Sequence, residues 1–532
     1  MKILVTEEIS PKGLDLLRKN GFTADVRLKM PKEEFLKVLP PYEAIITRSG
    51  TPVDKEVLDA GTSLKIVARA GVGVDNVDIN YATKKGIVVV NVPAGNTISA
   101  AEHTIGLLVG TCRNIPAASM NLKSGEWDRK KYMGAELNGK TLGIIGFGRV
   151  GSHVGKIALA FDMDLLVYDP YIPEKKVLDI GGERARLVKN LDELLRGSDV
   201  ITVHTPLTGE TRNILAKKEI SGMKDGVKLI NCARGGIINE KDWLDALNSG
   251  KVSGAGCDVW TEEPPESDWM RKLINHPMMV VTPHIGANTS EAQTKVGVTA
   301  AEQIIKFAQG DIPDTALNMA MFSPGLLEKL RGFIPLCEIL GNFAIQLSDK
   351  NPDTLEVEYR GEIADVEDLS LLTSNVIKGI FSQISDMEIN MVNAKLAAAE
   401  KGLMVKESKT DQSTTYKNKI TVRLVSGGSS RTVAGTLFGE KPKIVGMRDF
   451  DVDFAPAGHI LIASYPDRPG IIGKIGTLLG ENNINIESMS LGNKSKIKEA
   501  LVAFNLNREV PEKMQAEIAK AVGASFIKLV KV

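Results

Sequence analysis

Nothing in the 532-residue chain constrains its fold more than the stretch LGIIGFGRVGSHVGKIALA, residues 142–160. An apolar run predicts a buried strand. Three glycines at GxGxxG spacing, Gly146, Gly148 and Gly151, interrupt it, and an amphipathic helical period begins directly after them. In such a strand–turn–helix unit the first glycine permits the tight turn, the second lets backbone approach a pyrophosphate, and the third lets the helix pack on the strand. The helix N-terminus then presents free N–H groups and the positive end of its dipole to the phosphates. The glycine spacing alone is a weak signal, and its context strengthens it. DLLVYD ends in Asp169, 23 residues beyond Gly146. A carboxylate there suits two ribose hydroxyls and repels a 2′-phosphate, which favours NAD over NADP; the bland alternative is a turn acid before Pro170.

The flanking sequence repeats this habit. KILVTEE, AIITR, KIVARAGVGVDN and GIVVVNVP read as strands, with PKGLDLLRKNG as a helix ended by glycine. TLGIIGFG, LLVYD, DVITVHTPL, VKLINCARGG, GAGCDVW and MVVTPHIGA follow. Short apolar runs alternating with helices indicate parallel sheets, and their polar C-terminal ends are where open α/β sheets hold ligands. The pattern changes near AQGDIPDTALN. Residues 320–450 mix helical stretches (SLLTSNVIKGIFSQI, NMVNAKLAAAEKG) with alternating strands (TLEVEYRG, NKITVRLVSGG). There SGGSSRTVAGT offers donors to a phosphate or forms an ordinary hairpin loop. The last 75 residues read βαββαβ, the ferredoxin-like plan. So long a chain predicts three or four domains.

Lys+Arg and Asp+Glu both number 66, and zero net charge argues against nucleic acid or an anionic membrane as the main partner. Cys112, Cys232, Cys257 and Cys337 form no CxxC pair and no Cys/His cluster, so no metal site is expected. Four cysteines in this length suit a reducing cytoplasm. MKILVTEEIS lacks a signal-peptide core, and HTIGLLVGTC is far too short to span a membrane.

Hydride transfer to a ketone needs a proton donor, which a histidine supplies near neutral pH. Of six histidines, His204 and His284 end apolar strands and can face a cofactor. His103 and His153 fall in helical patterns and suit packing or hydrogen bonding; His276 and His459 suit a loop and a strand start. WTEEPPE supplies a partner for His284: Glu263, held before Pro264–Pro265, can fix the imidazole tautomer and raise its pKa. On the residues alone, Glu262, Glu263 and Glu266 are equally a solvated loop. Arg234, in LINCARGGIIN, can clamp a carboxylate bidentately or serve a structural ion pair.

GFGRVG, HTPL, NCARGGIINE, CDVWTEEPP and TPHIGANTSEAQ together resemble the D-2-hydroxyacid dehydrogenase family. RAGVGVDNVD, GNTISAAEHT and GEWDRKKYMGAELNGKTLGIIGFGRVG narrow this to its long form, which adds an intervening and an ACT domain. The resemblance spans nearly the whole chain. It implies an α/β protein with two Rossmann-like doubly wound domains, an α+β intervening domain and a C-terminal ferredoxin-like ACT domain. The substrate-binding domain would use residues 1–94 and 284–312, the NAD-binding domain 95–283, the intervening domain 318–452 and the ACT domain 456–532.

By the same resemblance the activity is oxidation of D-3-phosphoglycerate by NAD, opening L-serine biosynthesis. Arg234, Glu263 and His284 match the catalytic set, and His204 becomes a cofactor-side neighbour. Gly146, Gly148, Arg149, Val150, Gly151, Asp169, Thr205, Cys232, Ala233, Asp258 and Gly286 would line NAD, with Asp258 at the nicotinamide carboxamide. Ala70, Gly71, Val72, Gly73 and Asn96 would hold substrate oxygens. Many relatives have Thr where this chain has Val72, so a hydroxyl contact is lost. Arg48 and Arg69 follow strand ends and are candidates for the substrate phosphate; the basic run Arg129–Lys131 is a candidate or a solvated face. YPDRPGIIGKIGTLLGENNINIESMSLG resembles an ACT module, implying Asp467, Gly470 and Asn485 as effector residues and L-serine as the ligand. Asn493, where relatives often have arginine, and KSKIKEA, where they often have paired glycines, depart from that pattern. The expected assembly is a homodimer or homotetramer. The rival expectations are an unphosphorylated 2-hydroxy acid as substrate and an NAD-sensing corepressor-like protein.

Overall fold

The computed structural model describes residues 1–320, 324–348, 350–385, 389–411, 415–494 and 498–532, the side chains of residues 324, 493 and 494 excepted. Its first sheet contains β1 (Lys2–Val5), β2 (Thr23–Val26), β3 (Ala44–Thr47), β4 (Ile66–Arg69) and β5 (Val88–Val90), all parallel, in the order β2-β1-β3-β4-β5. Every residue of β3 and β5 is buried, so these strands need cover on both faces, and helices provide it. Pro11–Lys19 and Ser290–Ala308 cover one face; Lys32–Val38, Lys55–Ala60 and Ile79–Lys84 cover the other. Strand order reverses between β1 and β3, so the segments after them, 6–10 and 48–51, flank a crevice.

The second sheet contains β6 (Thr141–Ile145), β7 (Asp164–Tyr168), β8 (Ala185–Leu187), β9 (Val200–Val203), β10 (Val227–Asn231), β11 (Val252–Cys257) and β12 (Met279–Val281). It too is wholly parallel, in the order β12-β11-β10-β9-β6-β7-β8. Its order reverses between β6 and β9. The chain enters this unit through helix Thr97–Arg113 and leaves it after β12, so residues 91–96 and 282–289 both cross between the two sheets. A segment beyond Ser290–Ala308 then straps the first sheet's edge. Ala316 bridges Val90, and the Asn318 amide bonds Val89 N–H and the Ile87 carbonyl.

The third sheet contains β13 (Thr354–Gly361), β14 (Met404–Thr410), β15 (Asn418–Ser426), β16 (Ser429–Phe438), β17 (Lys441–Met447) and β18 (Phe450–Phe454), ordered β14-β13-β15-β16-β17-β18. Only β13 and β14 pair in parallel. Gly427 and Gly428, both at positive φ, turn β15 into β16, so SGGSSRTVAGT is a hairpin. Helix Phe333–Gln346 is mostly apolar and packs a broad face into the core, with Glu338, Asn342 and Gln346 as its one polar stripe.

The fourth sheet contains β19 (His459–Pro466), β20 (Ile486–Lys494), β21 (Glu499–Leu506) and β22 (Phe526–Lys531), ordered β20-β21-β19-β22 and antiparallel, with helices Ile471–Glu481 and Glu512–Val522 on one face. Its other face has no core of its own. Ile460, Ile462, Leu501, Ala503 and Val530 join Leu336, Phe343, Val452 and Phe454 of the preceding unit in one continuous cluster.

Candidate active site

The glycine turn sits at the switch point of the second sheet. Gly146 adopts φ +90°, and a methyl group on it would lie 2.7 Å from the His204 carbonyl oxygen beyond β9. A methyl on Gly151 would lie 2.1 Å from the Gly146 carbonyl oxygen, so helix Arg149–Ala160 rests directly on the turn. Gly148 caps that helix with nothing within 4 Å of a built Cβ, leaving backbone open to a ligand. Asp169 stands at the mouth of the turn, accepting from Phe147 N–H at 2.8 Å and Tyr171 N–H at 3.0 Å. Thr205 Oγ1 is buried there with no partner. An open glycine turn, an acid at the next strand end and an orphaned hydroxyl fit a dinucleotide. Arg149 reaches the Pro93 carbonyl at 3.4 Å, and Val150 packs into the sheet's core. Burial pushes the Cys232 thiol up to about 12, so it is a neutral wall and no nucleophile. Burial pushes His204 down to about 3, and its ring bonds Thr202 at 3.0 Å, which removes it as a proton donor.

His284 lies three residues beyond β12 at φ +54°. Its backbone N–H bonds the Asp258 carbonyl at 2.8 Å, and its Nδ1 meets Glu263 Oε2 at 2.7 Å. The other Glu263 oxygen accepts from Trp260 N–H at 2.9 Å. The Glu263 bond raises the imidazole pKa against the opposing effect of burial. Burial works to raise Glu263, but the His284 and Trp260 bonds outweigh it and hold the carboxyl below its usual range. A cavity of about 410 Å³ walled by Trp260, Pro264, Pro265, Ile274 and Val281 flanks this pair. Asp258, 1% exposed, ties the histidine loop down. It accepts from Thr282 Oγ1 at 2.6 Å and from the N–H groups of Ile285 and Gly286 at 2.8 Å each. His103 Nε2 lies 3.2 Å from the same carboxylate and 3.0 Å from Thr282 Oγ1, so this helical histidine is a hydrogen-bonding residue of the site.

Across the crevice the Arg69 and Arg234 guanidinium groups meet on the loop after β4, while Arg48 reaches toward the Glu8 carbonyl at 3.5 Å and acts on Arg69 through its charge. A methyl on Gly71 would lie 1.6 Å from one Arg69 terminal nitrogen, and one on Gly73 would lie 2.0 Å from one of Arg234. Arg69 is pushed down to about 10 by burial, with Arg234 and Arg48 adding repulsion, and its Nε is buried without a partner. Arg234 donates Nε–H to Asp75 at 3.0 Å and another N–H to the Ala233 carbonyl at 2.7 Å. Ala70 is buried, and the Val72 carbonyl accepts from Asn91 Nδ2 at 2.7 Å, so the loop is held by backbone where the threonine hydroxyl is missing. Asn96 opens helix Thr97–Arg113 without capping it by its side chain. Arg129, Lys130 and Lys131 are exposed. Among the described residues no group of three or more His, Cys, Asp or Glu could hold a metal, and no helix is long and apolar enough to cross a membrane.

Residues 105–286 match the D-isomer specific 2-hydroxyacid dehydrogenase NAD-binding domain, 329–448 the D-3-phosphoglycerate dehydrogenase intervening domain, and 459–523 the ACT domain. The chain is 44% identical over 492 residues to D-3-phosphoglycerate dehydrogenase of Archaeoglobus fulgidus, covering 92% of each chain. It is 38% identical over 532 residues to that of Bacillus subtilis, covering 99% of each. The chain belongs to the D-3-phosphoglycerate dehydrogenase family. Among solved structures, Aquifex aeolicus D-lactate dehydrogenase complexed with NAD and lactic acid aligns at TM-score 0.53 and 29% identity, over 60% of this chain and 99% of its own. Membership carries with it the NAD-dependent dehydrogenase class, and the mixed sheet and the ferredoxin-like sheet are the intervening and ACT domains of this family.

Several residues that shape the site receive no role from the sequence reading. Glu7, just after β1, accepts from the N–H groups of Arg48, Gly50 and Thr51 and so shapes the Arg48 loop. Asn231 accepts from Ala233 N–H and donates to the Arg234 carbonyl, building the turn that presents Arg234. An Asx residue at a strand end is a legible turn signal; Glu7 and Asp75 carry none. In the ACT module, Asp467 and Gly470 precede helix Ile471–Glu481, whereas Asn485 lies beyond its far end, about 16 Å away along an 11-residue helix. One chain therefore does not bring the three effector candidates together. The Asn493 side chain and residues 495–497 of KSKIKEA lie outside the described residues.

Proposed function

We propose that this chain oxidises D-3-phosphoglycerate to 3-phosphohydroxypyruvate with NAD, opening L-serine biosynthesis. The observation that carries the substrate is the cluster of Arg48, Arg69 and Arg234. Arg69, repelled by both Arg234 and Arg48 and with an orphaned Nε, suits a ligand bearing both a carboxylate and a phosphate. Arg234 clamps the carboxylate, with Ala70–Gly73 and Asn96 offering further contacts, while Arg69 and Arg48 face the phosphate. Gly146, Gly148, Arg149, Val150, Gly151, Asp169, Thr205, Cys232, Ala233, Asp258 and Gly286 line the cofactor. NAD held there would supply the hydride acceptor for the carbinol carbon. His284 takes the hydroxyl proton, and Glu263 stabilises the imidazolium that forms. In the reverse direction protonated His284 is the acid. The test is NADH absorbance with 3-phosphohydroxypyruvate against unphosphorylated hydroxypyruvate. Strong preference for the first is expected; equal turnover would overturn the phosphate assignment, and NADH binding without turnover would favour a sensor.

The assembly we infer is a homodimer or homotetramer. Met120, Leu122, Trp127 and Met133 are each exposed, on and after helix Ile115–Lys123, and apolar residues left uncovered there support self-association. L-serine is the proposed effector, bound between two ACT modules, because Asp467 and Gly470 of one chain would need Asn485 of another. Four free cysteines support the cytoplasm as its compartment.

A further inference from the structure

Arg234 and Glu263 reach the site from different loops, yet those loops touch through backbone. A methyl on Gly235 would lie 2.1 Å from the Trp260 carbonyl carbon and 2.4 Å from Thr261 N, so the Trp260–Thr261 peptide lies against the Arg234 turn. Glu240, the first residue of helix Glu240–Asn248, is 5% exposed. Its Oε1 accepts from Thr261 N–H at 2.9 Å, and its Oε2 accepts from the Thr261 hydroxyl. The next links are Trp260 N–H to Glu263 Oε1 and Glu263 Oε2 to His284. A buried carboxylate on the helix that follows the arginine turn gives both oxygens to Thr261 of the acid loop and takes a further backbone hydrogen bond from Gly236 of the turn itself. Burial raises its carboxyl, and nearby Glu263 repels it, so its placement opposes its own charge and calls for a compensating role.

We propose that Glu240 is a positioning residue that fastens the Trp260–Glu263 loop to the Arg234 turn and thereby sets the contact between Glu263 and His284. The inference rests on Glu263 and His284 being the proton-transfer pair. The charged groups acting on His284 are Glu263, Asp258 and Arg234; Glu263 acts on Glu240. If the loop loosens, Glu263 withdraws and the imidazole pKa falls.

The test uses the full chain, with kcat and KM for D-3-phosphoglycerate oxidation followed against pH and NAD binding followed by fluorescence. Glu240→Ala is expected to lower kcat by roughly 10–100-fold, to move the acid-side limb of the profile to lower pH, and to leave NAD binding within about twofold. Glu240→Gln is expected to restore both, because its amide accepts from Thr261 N–H and donates to the Thr261 hydroxyl. Thr261→Val keeps the N–H link and is expected to move the limb less, in the same direction; it decides the matter if Glu240→Ala does not fold. An unmoved limb in Glu240→Ala, or Gln as damaging as Ala, overturns the proposal. Glu263→Gln runs in parallel. If it too leaves the limb in place, the proton-pair reading itself fails; if it moves the limb and the Glu240 and Thr261 variants do not, only the Glu240 role fails.

Discussion

Arg69 Nε and Thr205 Oγ1 are buried without partners, one on each side of the crevice. An unsatisfied buried donor costs about 1–3 kcal/mol, which a ligand that bonds it returns. Thr205→Val is therefore expected to leave the melting temperature of the ligand-free protein unchanged or higher while weakening NAD several-fold, read by thermal unfolding with and without NAD. Arg69→Ala is expected to raise KM for the phosphorylated substrate roughly 10–100-fold, with little effect on NAD affinity. His284 sets the pH response. Its pKa lies above the ordinary imidazole value of about 6.5. Oxidation needs the neutral ring, so its rate should rise with pH through that raised value, whereas reduction needs the protonated ring and should fall through it. Initial rates in both directions check the sign. At this scale the sequence was legible where a motif pairs two groups, as Glu263 with His284, whereas the ion pair of Arg234 with Asp75 leaves both of its readings open. It was silent on Glu7 and Asp75, whose work consists of bonds to backbone or to another loop that no spacing reveals.

The strand–turn–helix unit is the element on which cofactor binding depends. Gly151→Ala places a methyl 2.1 Å from the Gly146 carbonyl oxygen and must lift the helix off the turn, at a cost of about 1–3 kcal/mol. Lower thermal stability and loss of NAD binding are expected together. Gly148→Ala, whose methyl meets nothing, should keep the melting temperature while still weakening NAD by crowding the open backbone. Both parallel sheets were readable because their central strands are buried on two faces and so run as unbroken apolar segments. β2 and β8 were not, being short edge strands of mixed polarity, TADV and ARL. In the intervening domain the reading found β13, β15 and two helices. It missed β14, exposed along most of its length, read β16 only as part of a loop, and passed over β17, β18 and helices Pro324–Arg331 and Phe333–Gln346.

For the whole molecule, the boundary between the intervening and ACT domains is softer in packing than in sequence. Phe343 and Phe454 meet as a tilted pair with ring centroids 6.1 Å apart in a cluster that includes Ile460, Ile462 and Val530 of the ACT sheet. Gln346 and Lys531 exchange two hydrogen bonds, and Asn505 Nδ2 holds the Ala455 and Ala457 carbonyls between the domains. A chain ended at residue 455 should therefore bare an apolar face, bind an apolar fluorescent dye and melt with poor cooperativity. One ended at residue 318, after the strap on β5, should still bind and reduce NAD. On the catalytic side the intervening domain is held by thinner means, Asn390 to the Gly86 carbonyl and Lys84 to Glu400. This bears on how such a protein can be assembled from parts. A gene fusion joined near residue 320 would graft the intervening and ACT domains intact onto another catalytic head, whereas one joined near 456 would inherit half of a core, so this architecture hands on its last two domains as a pair rather than the ACT module alone.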